Sequence, residues 1–179
     1  MPDIQLLSPD VLARFESTLR SRNVKIVDAW APGASDAQID DIIGPVGLEM
    51  PEEVRVWWRW HNGVAPGYPP DHWAIIPGRD ILRLQDAVET YSYVGRGDGL
   101  LKPFSEKPHI YVACRTTGKV PAPIYYETYD FSPHLALPSF GELILGWIRY
   151  IESGGYPSGP GGWTNDRTDS EGVEEFDVL

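Results

Sequence analysis

The side chains best able to bind a metal ion or to act as a base are four histidines: His61, His72, His109 and His134. No two of them are two, three or four residues apart in the sequence, so they lack a local zinc-binding spacing. His72 has the most reactive surroundings, because it follows Asp71 and precedes Trp73 in a proline-rich stretch. A surface turn is the expected role of that stretch, and His61 is expected to be a packed or capping residue. The histidines therefore predict no metal site.

The candidate nucleophiles are one cysteine and the serines. Cys114 ends an apolar, strand-like run that begins at Ile110, which predicts a buried and inert thiol. As the only cysteine of the sequence, it has no partner for an intrachain disulfide. No serine lies in the G-x-S-x-G pattern of a nucleophile elbow, and Ser139 is better explained as a helix cap. A triad assembled from positions distant in sequence remains open at this point.

Two pairs of adjacent carboxylates and one glycine-rich stretch also invite a chemical interpretation. The pairs are Asp40-Asp41 and Glu52-Glu53. Neighbouring side chains of a helix point in different directions, so both pairs suit helix surfaces better than acid–base catalysis. Residues 95–100 lack the third glycine of a dinucleotide-binding loop, and they follow a predicted helix instead of preceding one. We therefore expect no nucleotide and no other cofactor.

Two segments, residues 50–63 and residues 137–148, specify helices strongly. In the first, Pro51 suits the first turn of a helix, and the two glutamates that follow it favour the positive end of the helix dipole. Asn62-Gly63 predicts a left-handed stop. Trp60 lies beside the apolar face, so either the helix is sandwiched between two layers, which we expect, or Trp60 is partly exposed. The apolar face itself consists of Val54, Trp57, Trp58 and His61.

The second segment is a closing helix. Ser139 is a plausible N-cap, and Glu142 stands three residues further on, as in a capping box. One apolar stripe at helical spacing follows, and it predicts a helix with one buried face. The stripe consists of Phe140, Leu143, Ile144, Trp147, Ile148 and Ile151.

The remaining pattern predicts a single α+β domain over residues 1–152. It has N-terminal helices, a mixed, mostly antiparallel sheet of about four to six strands, and a C-terminal helix packed on the sheet. The segments 109–114 and 123–129 are expected to form an antiparallel pair. Further predicted helices span residues 9–20, 35–43 and 84–94, and further predicted strands span residues 24–30, 73–76 and 135–137.

These features resemble the SUKH superfamily. The resemblance rests on a Pro-x-x-Val/Tyr-aromatic helix that ends in Asn-Gly, a β-rich middle and a closing Ser-Phe-x-x-hydrophobic helix, and it covers roughly residues 35–152. The superfamily includes fungal cell-wall-assembly regulators of the Smi/Knr type and bacterial immunity proteins that neutralise secreted toxins. The resemblance implies a protein-binding domain that is not an enzyme. The chain departs from the family pattern at residues 105–108, where Ser-Glu-Lys-Pro replaces a frequent Gly-Asp.

Composition limits the kinds of partner. The net charge of −11 disfavours nucleic acid and anionic membranes, and it would attract a basic protein such as a nuclease toxin. Part of this charge lies in residues 153–179, where a Gly/Pro-rich stretch precedes six acidic residues and one arginine. This composition predicts a solvated tail, and an acidic arm that competes for a basic partner is the alternative.

The sequence also bears on location. Residues 1–5 lack a basic stretch followed by an apolar one, so we expect no signal peptide. No apolar run is long enough to span a bilayer. The expected location is the cytoplasm.

The most favoured function is therefore an immunity protein that neutralises a toxin by direct binding. A regulatory or scaffold domain resembling the fungal members and an enzyme of unrecognised type are the alternatives. Aromatic residues beside acids on a proline-stiffened loop, together with acids on other loops, are the expected contacts with a basic partner. These candidate partner-binding residues are Tyr68, Asp71, His72, Trp73, Asp98 and Asp130.

Overall fold

The computed structural model describes residues 3–67, 74–76, 79–95, 97–105, 109–127, 132–155, 158–159 and 162–163. These residues form an α+β fold, as predicted. Short 3₁₀ turns occur at Lys25–Asp28 and Gly44–Val46. The α-helices are α1 (Pro9–Ser21), α2 (Asp36–Ile43), α3 (Glu52–Trp60), α4 (Leu84–Val94) and α5 (Phe140–Glu152).

Most of the strands are short. Their bounds are β1 (Trp30–Pro32), β2 (Glu49–Pro51), β3 (His61–Val64), β4 (Ala74–Ile76), β5 (Arg79–Asp80), β6 (Leu100–Leu101), β7 (His109–Ala113), β8 (Arg115–Gly118), β9 (Ile124–Glu127), β10 (His134–Leu137), β11 (Ser158–Gly159) and β12 (Gly162–Trp163). The main sheet is antiparallel throughout and has the strand order β6-β7-β9-β10. The pairs β1-β3, β4-β5 and β11-β12 are antiparallel, whereas β2 and β8 pair in parallel.

The predicted pairing of residues 109–114 with residues 123–129 is confirmed. In the sheet, Tyr125 of β9 pairs with Tyr111 of β7 on one side and with Leu135 of β10 on the other. Side chains alternate between the two faces of a strand, so β7 turns Ile110 and Val112 towards the main core. Tyr111 and Ala113 lie on the opposite face, which we call the outer face.

The main core joins the inner face of the sheet to α1, α3 and α5. The helix caps behave as the sequence predicts: the Ser8 hydroxyl accepts a hydrogen bond from Val11 N, and Ser35 forms a complete capping box with Gln38. Each member of the predicted stripe on α5 is buried. The sequence therefore predicts both the helices and the faces that they bury.

Helix α3 is covered on two sides. Trp57 and Trp58 are fully buried, and Val56, on the face that also carries Trp60, is buried as well. Trp60 packs against Phe15 of α1 with ring centroids 6.2 Å apart, but it keeps partial exposure. Helix α3 is therefore packed between two layers, as expected, while Trp60 is also partly exposed, which was the alternative.

Two local predictions were wrong. Residues 24–30 do not form one strand, because Lys25–Asp28 turn as a 3₁₀ helix that buries the consecutive residues Ile26 and Val27. The apolar face predicted for the Pro51 helix includes His61, but helix α3 ends at Trp60. His61 is extended and pairs with Pro32 as the first residue of β3. Pairing of β3 with β1 thus overrides the helical spacing.

Candidate partner-binding surface

Of the predicted partner-binding residues, Asp98 is the one that the structure describes. Tyr68, Asp71, His72, Trp73 and Asp130 lie outside the described residues. The structure therefore does not test whether the proline-rich loop forms a binding surface. Asp98 and its neighbours define the surface that can be built from described side chains.

Asp98 shapes the turn that leads into β6. Its Oδ1 accepts a hydrogen bond from Leu100 N at 3.1 Å, which is a local side-chain-to-backbone contact typical of aspartate in turns. Its carbonyl oxygen accepts a hydrogen bond from Nε of Arg115. Gly99, at φ +68°, lies so close to the side chain of Arg115 that a Cβ at this position would contact its Cγ at 2.7 Å. The turn therefore holds the side chain of Arg115, the exposed first residue of β8.

Arg115 lies over an aromatic ring of the outer face. Its guanidinium carbon is 5.4 Å from the centroid of the Tyr125 ring, within the range of a cation–π contact. Its Nη1 is 3.5 Å from the Tyr125 hydroxyl oxygen. The arginine side chain is thus held by the turn at one end and by Tyr125 at the other.

An exposed leucine extends this row. Leu135 is the cross-strand neighbour of Tyr125 and is 62% exposed. Beneath the row, Leu100, Tyr111 and Ala113 form a small buried cluster that is separate from the main core. We call Asp98, Arg115, Tyr125 and Leu135 the outer row.

The outer row has the composition of a protein contact. Tyrosine and arginine are enriched at the residues that dominate binding energy in protein interfaces. Ordered side chains also lose little conformational entropy when they are buried by a partner. Of these residues Asp98 was predicted from the sequence, whereas Arg115, Tyr125 and Leu135 were not. The alternation of side chains between the two faces along 109–113 and 124–127 could have placed Tyr125 on the face away from the core. Its pairing with Leu135 could not be predicted without the register of the strands.

A second exposed aromatic was also missed. Tyr93 near the end of α4 is 93% exposed, and it stands one helical turn after Glu89. Glu89 accepts a hydrogen bond from the side chain of Gln85, one further turn before it. Three residues at i, i+4 and i+8 therefore form a polar ridge that ends in an aromatic ring.

The largest departure from the sequence analysis is Glu53. We expected a helix-surface carboxylate, but Glu53 is 2% exposed. Its carboxylate accepts hydrogen bonds from four backbone N–H groups: those of Leu7 at 2.9 Å, Ala122, Phe140 at 3.3 Å and Gly141 at 3.2 Å. Phe140 and Gly141 open α5, whose first N–H groups have no partner within the helix. We call this arrangement the Glu53 hub.

The hub compensates for the burial of its carboxylate. Burial raises the pKa of Glu53 above the usual glutamate value, because the ionised form loses its hydration. The four N–H groups favour the ionised form and oppose this shift. One residue of α3 thereby holds three segments that are distant in the sequence: the N-terminal stretch, the loop before β9 and the start of α5.

The N-terminal stretch is fastened at two further points. The Ser139 hydroxyl donates to the carbonyl of Gln5 at 2.6 Å, and Gln5 N donates to the Glu142 carboxylate at 3.1 Å. Ser139 is the N-cap of α5, as predicted, but Glu142 turns to Gln5 and does not complete the capping box. A Cβ at Gly141 would overlap the backbone of residues 5–7, so glycine permits this close approach.

The described residues hold few groups suited to catalysis. Cys114 is buried, and burial raises the pKa of its thiol to about 12, as expected for an inert cysteine. Within the part of the chain that the structure describes, no group of three or more His, Cys, Asp or Glu side chains could hold a metal ion. An open groove of about 440 Å³ is lined by Arg14, Ser17, Thr18, Ser21, Arg22 and Glu152.

Comparison with known proteins assigns no family. The chain matches none of the protein-family models and none of the curated proteins. The resemblance to the SUKH superfamily therefore stays a prediction from the sequence. Among the described residues, no helix combines the length and the apolar character needed to cross a membrane.

Proposed function

We propose that this chain is a non-catalytic, cytoplasmic protein-binding domain of the SUKH type that neutralises a bacterial toxin by direct binding. The motifs of α3 and α5 support the family assignment, since both resemble superfamily motifs. An immunity protein acts by covering a surface of its toxin, so its own requirement is a complementary surface. No cofactor or catalytic group is needed for that activity.

The charge of the chain supports a basic partner. A net charge of −11 accelerates the approach of a positively charged protein and slows the approach of nucleic acid. A nuclease toxin fits this chemistry, because it needs positive charge to bind a phosphate backbone.

The observation that carries the proposal is Leu135. A leucine that is 62% exposed is the cross-strand neighbour of Tyr125, whose ring is covered by Arg115. Burial of the exposed part of the leucine by a partner would contribute roughly 1–2 kcal/mol of hydrophobic free energy. The outer row thus offers an apolar anchor next to two residue types that are common in binding hot spots.

The experiment combines crosslinking with kinetics. A photoreactive residue at position 135 should capture the toxin, and the same residue at position 120 is the control, because Val120 is also exposed but lies outside the strands. With the captured toxin purified, Leu135→Asp should weaken binding at least about tenfold, whereas Val120→Asp should not. Association should slow as salt rises, with less change in dissociation.

Two results would contradict the proposal. If Leu135→Asp and Arg115→Ala variants fold normally and still bind and neutralise the toxin with unchanged rates, the outer row is not the binding surface. If no toxin encoded near this chain binds it at all, the immunity assignment is wrong.

A further inference from the structure

His61 lies where three elements meet. It begins β3, and its ring forms a triangle with two indoles, at centroid distances of 4.5 Å to Trp30 and 4.6 Å to Trp60. Nδ1 lies 3.1 Å from the carbonyl oxygen of Ala31. A carbonyl oxygen only accepts hydrogen bonds, so the proton of the neutral imidazole must reside on Nδ1.

The other ring nitrogen faces a carboxylate. Nε2 of His61 is 3.9 Å from Oε2 of Glu16, which belongs to α1. In the neutral imidazole Nε2 is an acceptor, as is the carboxylate, so no hydrogen bond can join them. A proton on Nε2 would convert this contact between two acceptors into an ion pair between β3 and α1.

The charged groups around the ring come from two elements. Glu16 and Arg20 of α1 form an ion pair at 2.8 Å, and Arg20 also contacts Asp28 of the 3₁₀ turn at 3.0 Å. From β1 the ring meets the Trp30 indole and the Ala31 carbonyl, which carry no net charge. Glu16 is therefore the negative group nearest to His61, and Arg20 already uses it in the neutral state.

We propose that His61 and Glu16 form a proton-operated contact between helix α1 and the β1-β3 pair. Acid protonates Nε2, and the imidazolium then shares the Glu16 carboxylate with Arg20. Acidification would thus add an ion pair between α1 and β3 without any change in the hydrogen bond from Nδ1 to Ala31. The inference is independent of the outer row and of any toxin.

The buried surroundings set the pH range. Burial lowers the pKa of His61, and the Ala31 carbonyl and Glu16 act in the opposite direction. Because the pKa is lower in the folded state, the neutral ring contributes stability that is present above the unfolded pKa of about 6.5. That stability is lost as the pH falls through the folded pKa. The contact therefore operates below the unfolded pKa of about 6.5.

Proton NMR of the imidazole Cε1–H groups tests the proposal. The His61→Gln variant assigns the His61 signal among the four histidines. The His61 midpoint should lie below about 6.5, and Glu16→Gln should lower it further by about half a pH unit, since the attraction of one partly exposed carboxylate is lost. Glu16→Asp keeps the charge but shortens the side chain, so its shift should be smaller. Glu89→Gln on α4 is the matched control and should leave the midpoint unchanged.

Tryptophan fluorescence supplies a second readout, because a protonated imidazole in contact with an indole quenches its emission. The wild type should show a reversible transition at the NMR midpoint, and His61→Gln should lack it. The proposal is overturned if the His61 midpoint is the same in Glu16→Gln as in the wild type. It is also overturned if His61 shows no titration down to pH 4 in a protein that remains folded.

Discussion

The carboxylates of Asp98 and Glu53 both bind backbone N–H groups, and they do so with opposite consequences. Asp98, on the outer row, accepts from Leu100, two residues away. Glu53, in the core, accepts from residues at positions 7, 122, 140 and 141. The local contact shapes one turn and leaves the neighbouring side chains available to a partner. The distant contacts commit the carboxylate entirely to the fold.

The largest expected effect is the loss of the Glu53 hub. Glu53→Ala leaves four N–H groups without their acceptor, and a buried unsatisfied group costs about 1–3 kcal/mol. We expect a loss of roughly 4 kcal/mol or more in the free energy of unfolding, measured by urea denaturation. Glu52→Ala is the matched control on the same helix turn and should cost less than about 1 kcal/mol, since its ion pair with Arg59 is on the surface. Equal losses in the two variants would contradict the hub.

The closing helix should come next. Trp147 is almost fully buried and packs against Phe104 with ring centroids 5.2 Å apart. Trp147→Ala should cost roughly 3–5 kcal/mol, which is typical of a buried aromatic residue in a well-packed core. Thermal and urea unfolding measure it. An unchanged melting temperature would remove this residue, and the face of α5 that carries it, from the core.

The pH dependence of the hub follows from the raised pKa of Glu53. A carboxylate whose folded pKa exceeds its unfolded pKa contributes stability that is fully present below the unfolded value, and this stability is lost as the pH rises through the folded pKa. The stability of the wild type relative to Glu53→Gln should therefore decrease between acidic and neutral pH. The slope cannot exceed about 1.4 kcal/mol per pH unit. A difference that increases with pH would mean that the four hydrogen bonds outweigh the effect of burial.

Changes in the outer row should be the mildest. Asp98→Ala removes one local hydrogen bond and should cost about 0.5–1.5 kcal/mol in urea unfolding. Leu135→Asp alters an exposed side chain and should change stability by less than about 0.5 kcal/mol. A large destabilisation by Leu135→Asp would show that the row serves the fold instead of a partner.

Sequence reasoning succeeded where the information is local. The glycine stop of α4 at Gly95 and the N-caps of α1, α2 and α5 are set by residues within a few positions, and the predicted span 84–94 matches Leu84–Val94. The apolar stripes identified the buried faces for the same reason. Local patterns failed at residues 24–30, where tertiary burial of Ile26 and Val27 favours a 3₁₀ turn.

The hub was out of reach because its donors are main-chain groups. A backbone N–H leaves no mark in the sequence, and the four donors span positions 7 to 141. One signal was available: Glu53 lies one helical turn before Trp57, on the face that the pattern assigns to the core. A charged residue in such a position predicts a buried and compensated carboxylate. The same limit applies to the outer row, in which Leu135 meets Tyr125 through strand pairing and Arg115 reaches the Tyr125 ring from β8.

The position of Leu7 in the hub has a consequence for synthesis on the ribosome. Gly141 of the hub is made 134 residues after Leu7, the difference of the two positions. At about 5–20 residues per second, this separation takes roughly 7–27 s. Until then the Glu53 carboxylate lacks the two donors at the start of α5, the N–H groups of Phe140 and Gly141. The hub therefore closes only after the start of α5 has been made.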